Sequence, residues 1–254
     1  LIQPTQSQEF QLKRNHSISL NRYNQQISPA TGNLNIIALM VEFQVDTNRL
    51  TSGTGVFGVN GFDGLPYLSR EEQTFIDPLP HDRSYFETHL EFAKNYFLKS
   101  SDHQLIIDYQ VLPQVYKLDK PMEEYSPIGE RFTLEKIATL MQDVWSKVDS
   151  EGGFDATGLD PENTAFVIFH AGIGRDVELT GTSLDITPFD LPSITLDQEN
   201  LADLLNDPSF NGFSINNDTF RVTNSMLIPR TQSRRGTDIS DNEIVFPLSI
   251  NGLL

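Results

Sequence analysis

The feature that most limits what this chain can fold into is a run of five apolar residues, Ala165-Phe166-Val167-Ile168-Phe169, that stops at His170. Aromatic and β-branched residues without polar alternation predict a strand covered on both faces, as in the middle of an α/β sheet. Two glycines, Gly172 and Gly174, and the charged pair Arg175-Asp176 follow. Glycine permits backbone geometries and close approaches that a Cβ resists, so this reads as a strand running into a functional loop. The plainer reading is that His170 caps the strand and the glycines only turn the chain.

Around that strand the pattern alternates between strand and helix. Residues 1–32 are polar and Gln/Asn-rich and read as a leader arm or propeptide remnant; residues 33–254 read as one domain. NIIALMVEF at 35–43 predicts an internal strand. Ser84 is expected to cap a helix to about residue 100, with Phe86, Leu90, Ala93 and Phe97 on one face. Residues 104–116 return as strand, where Pro113 argues for an edge or an end to regular pairing. A second amphipathic helix is expected over 130–148, a short helix over 198–206, and a last strand over 220–229. The arginine-rich stretch 230–235 reads as a solvated loop. Residues 241–254 read as an acidic cap leading into an apolar helix cut in its first turns.

Composition excludes several classes. The 254 residues carry a formal charge of -17, which argues against nucleic-acid partners, since these need a concentrated basic patch. The chain has no cysteine, so structural disulfides and thiolate zinc sites are absent. Its apolar runs fall well short of the roughly 18 residues that cross a bilayer. GTGVFG at 53–58 has the spacing of a dinucleotide-binding turn but continues as loop instead of opening a helix. The acidic, glycine-rich stretch 149–163 reads either as a calcium loop or as a solvated acidic loop; its spacing departs from the Asp-x-Asp-x-Asp-Gly pattern.

No catalytic motif emerges. A zinc peptidase helix needs two imidazoles one turn apart and a carboxylate to activate water. The five histidines, His16, His81, His89, His103 and His170, include no pair three or four residues apart. The nearest approach to a serine-hydrolase elbow, GTSLD at 181–185, lacks the second glycine.

The ordered set of phrases nonetheless resembles a known family. The strand at 36–43, Tyr85-Phe86 and Asn95-Tyr96-Phe97, Val111-Leu112-Pro113 with Val115-Tyr116, Pro121-Met122, and above all His170-Ala171-Gly172 are similar to the secreted zinc metallopeptidases of the immune inhibitor A family. The resemblance runs from about residue 35 to 254. It implies an α/β (α+β) domain of zincin-like fold, with a mixed twisted sheet and two helices before the active-site helix. The family's His-Glu-x-x-His motif would follow SINGLL at 249–254. Two departures stand out: DATGLD at 155–160 keeps only fragments of the family's calcium-type loop, and Gly174-Arg175-Asp176 replaces an acidic residue after the glycines.

The resemblance thus implies an extracellular parent protein that binds zinc outside this chain and hydrolyses a protein or peptide substrate. The substrate would be held by strand addition at a sheet edge, supplied by residues 178–186 in preference to 220–228. The expected substrate-binding residues are His170, Gly172, Gly174, Leu179, Gly181 and Ser183; no metal ligand and no catalytic base is assigned within the chain. The alternative is a catalytically inactive, peptidase-like binding or structural module that works through its long loops.

Overall fold

The computed structural model describes residues 31–48, 50–57, 77, 79–128, 133–177 and 189–254. The chain begins with strand β1 (Gly32–Glu42), helix α1 (Arg83–Ser100), strand β2 (Leu105–Lys117), helix α2 (Glu135–Ser150) and strand β3 (Thr164–Ile173). It continues with β4 (Ile194–Leu196), helix α3 (Gln198–Leu204), β5 (Phe213–Ile215), β6 (Phe220–Val222), β7 (Ser225–Thr231), β8 (Arg234–Thr237) and β9 (Glu243–Phe246). Five strands form one mixed sheet in the order β2-β1-β3-β7-β4. All its neighbours are parallel except β4, which runs antiparallel to β7 at the edge. Hairpins β5–β6 and β8–β9 stand beside it.

The period-2 geometry of a strand explains the two cores. In β1, Ile36, Ala38 and Met40 join Phe86 and Leu90 of α1, while Ile37, Leu39 and Val41 join Ile137, Met141 and Trp145 of α2. The sheet is therefore covered by α1 on one face and α2 on the other, which is why β1 and β3 read as unbroken apolar runs. Phe169 of β3 stacks on Phe86, with ring centroids 4.2 Å apart. On the opposite face the Trp145 Nε1–H donates to Ser225 Oγ at 2.7 Å, satisfying a buried indole donor.

Pro113 lies where expected, in edge strand β2, and the β1–β2 register shifts between Ala38 and Met40, opposite that stretch. Proline has no N–H to donate, so the ladder gives way there.

Five expectations need correction. The α1 cap is Asp82, whose side chain accepts from the Tyr85 N–H at 3.1 Å, two residues before Ser84. The stretch 220–229 is split: β6 belongs to a two-stranded hairpin, and β7 lies between β3 and β4, so residues 225–228 are internal and provide no edge of the five-stranded sheet. The break falls at Asn224, whose amide accepts from Phe166 N at 3.2 Å and donates to Thr164 O at 2.9 Å, tying the link to β3. Arg230 is not solvated but 1 % exposed, because β7 carries it inward. Finally, the terminal stretch forms β9 and a single 3₁₀ turn, Ile250–Gly252, in place of a helix; Pro247 breaks the run, and Ile250 drops into the core beside α1.

Candidate functional site

Asp77, His81, Tyr85 and His89 recur every four residues, and the last two rise on one side of α1 at its N-terminal end. The rings form a continuous stack: His81 to Tyr85 at 4.4 Å between centroids, and Tyr85 to His89 at 4.5 Å, edge to face. The Tyr85 hydroxyl lies 3.0 Å from Asp77 Oδ1 and 3.1 Å from the Arg230 carbonyl, and its single proton serves one of these acceptors at a time. At the far end, His89 Nδ1 meets Asn251 Oδ1 at 2.6 Å, so the imidazole carries its proton on Nδ1 and donates.

His81 takes the opposite tautomer. The Arg230 guanidinium, which has only donors, lies 3.4 Å from His81 Nδ1, so that nitrogen accepts and Nε2 holds the proton. Nε2 sits 3.3 Å from Asp77 Oδ1, within ion-pair range but off hydrogen-bond alignment. The column thus links the segment before α1, the helix itself, strand β7 and the 3₁₀ turn.

Burial sets the electrostatics. It pushes the Asp77 carboxyl up, but the His81 imidazole and the hydroxyls of Thr231 and Tyr85 outweigh it and hold the group below the ordinary carboxylate range. Burial, aided by the Asp77 charge, raises the Tyr85 phenol and keeps it protonated. Desolvation lowers His89 despite its bond to Asn251, so the ring is neutral near pH 7. A cleft of about 320 Å³ opens over the column, with Asp77, Tyr85 and His89 on one wall and Ser233, Leu248 and Ser249 on the other.

The structure brings His170, Gly172 and Gly174 together but buries all three. His170 lies within β3 with no exposed surface, its ring packed 6.1 Å from that of Phe43. Burial, reinforced by nearby Arg230, lowers its imidazole to about 4. Gly172 has φ +133°, and a Cβ there would meet Met122 Sδ at 2.9 Å; a Cβ on Gly174 would fall 1.9 Å from Gln232 Nε2. Gly172 lies in the irregularity that shifts the β3–β7 register, and Gly174 follows it in a bridge to Leu191. Leu179, Gly181, Ser183 and the favoured edge 178–186 lie outside the described residues.

No group of three or more His, Cys, Asp or Glu suited to a metal occurs among the described residues. His81, the most enclosed histidine of the column, has a guanidinium against Nδ1, which repels a dication. The residues of the column do not fit zinc, and no zinc step passes through them. Among the described residues no helix is long and apolar enough to cross a membrane.

The fourfold spacing of Asp77, His81, Tyr85 and His89 was the available signal for this column. A search for histidines three or four apart passes over two that are eight apart, and Arg230 is hidden in an arginine-rich run. A scan against protein-family models and a search of curated proteins found no match to this chain.

Proposed function

We propose that the chain forms the sheet portion of a zincin-like, secreted peptidase domain, whose parent cleaves peptide bonds with zinc held by residues other than those described. The observation that carries this reading is the placing of β4. It is the one antiparallel strand of the five-stranded sheet, it stands at the edge, and among the described residues its ladder partner is β7. Such an edge offers main-chain groups to an extended peptide. The order β1, α1, β2, α2, β3 agrees with a mixed sheet and two helices preceding the active-site segment. The 3₁₀ turn at Ile250–Gly252 adds to the α1 face, bringing residues 250–254 beside the helix that carries the column.

The test is the parent protein: its zinc content, and proteolysis with and without a chelator. Bound zinc with chelator-sensitive cleavage supports the peptidase. A folded parent with neither zinc nor cleavage makes the chain part of a peptidase-shaped binding module.

A further inference from the structure

We propose that the cleft over the α1 column binds a cationic side chain, an alkylammonium or guanidinium group, with the Asp77 carboxylate as its counter-ion. At about 320 Å³ the cleft lies at the small end of ligand pockets, which run from about 300 Å³ upward, and suits one side chain better than a cofactor.

Among its described lining residues, Asp77 is the one with a carboxylate or cationic side chain. Asp77 keeps 13 % of its side chain exposed. Arg230, the cation of the site, is 1 % exposed and lies behind His81, so the cleft presents the carboxylate and withholds the guanidinium. Tyr85 is held protonated and His89 neutral, so neither ring adds a charge near pH 7. The paired rings of Tyr85 and His89 supply π surface for a cation. The chain's formal charge of -17 draws cations toward any such site and disfavours anions.

Acid weakens the site. When His89 takes a proton, the cleft gains a positive charge facing the ligand, with the Arg230 guanidinium already behind His81. That the cation belongs to a peptide substrate rests on the peptidase reading; that the cleft takes one does not.

The test is titration of the 254-residue chain with agmatine and with n-butylamine at low salt, followed by NMR, beside butyrate as an anionic control. The expected result is saturable binding of both amines, with shifts centred on Tyr85, His89 and Ser249, weakened at least about tenfold by Asp77→Asn. Because Asp77 also holds His81 and Tyr85, a second variant, Ser249→Tyr, fills the exposed mouth from the other wall. It is expected to abolish binding; because it also removes the Ser249 Oγ that accepts from the Asn251 N–H at 3.2 Å, a small fall in thermal midpoint accompanies it, and binding is read well below that midpoint. Amine shifts that never saturate, equal binding of butyrate, or full binding in Ser249→Tyr would overturn the proposal. The titration needs neither zinc nor turnover, so its failure leaves the peptidase reading standing, and the converse holds.

Discussion

Lowering the pH should destabilise this protein through His170, and the size of the effect follows from its burial. The ring has no exposed surface, and its value falls from the ordinary 6.5 to about 4. In the unfolded chain the imidazole takes a proton near 6.5; in the folded one it resists until about 4. Between these values the unfolded state binds more protons, so stability is fully present above about 6.5 and declines as pH falls toward 4. At 1.36 kcal/mol per unit the whole window amounts to roughly 3 kcal/mol, of which about 2 kcal/mol is lost between pH 7 and pH 5. His89 titrates in the same direction, so the decisive comparison is with a variant. His170→Leu keeps an apolar body in the strand. It removes an Nε2 that has no hydrogen-bond partner and a 3.3 Å contact of Nδ1 to the Ala171 carbonyl. At pH 7 its stability should stay within about 1.5 kcal/mol of the parent, as for other volume-conserving core changes. Urea unfolding followed by circular dichroism at pH 7 and pH 5 gives both numbers. If His170→Leu loses as much stability on acidification as the wild type, the buried neutral imidazole is not the source of the acid sensitivity.

Two further substitutions test the packing of the sheet. Ser225→Ala removes the acceptor of the buried Trp145 indole and should cost about 1–3 kcal/mol, with a changed tryptophan emission in the folded state, measured by fluorescence-detected unfolding. Gly172→Ala places a Cβ at φ +133° and against Met122 Sδ, and should cost about 1–3 kcal/mol of backbone strain.

The sheet was legible where its residues repeat one requirement along their length. β1 and β3 are covered on both faces, so nearly every position must be apolar, and the sequence says so without reference to neighbours. The buried faces of α1 and α2 were legible from their 3.6-residue period, and Pro113 from a missing donor. The features that escaped notice depend on partners distant in sequence. Whether Arg230 points to solvent is decided by β7 entering the sheet between β3 and β4, which no local pattern records. His81 and His89 gain their tautomers from Arg230 and Asn251, each more than a hundred residues away. The terminal stretch misled because an acidic cap followed by an apolar run, Ile244-Val245-Phe246, also suits the start of a helix. Its β-branched and aromatic composition had favoured the strand it forms.

The irregular pairing at Pro113 also bears on how the molecule behaves when crowded. Among the described residues, β2 has a ladder partner on one side only of its 13 residues, long enough to template addition of a second chain, and Ile106 and Val115 leave apolar surface on it. The register shift beside Pro113 displaces the residues after it, so an incoming strand meets two short, misaligned segments in place of one straight ladder. The same irregularity that locally weakens the sheet thereby guards the β2 edge against self-association.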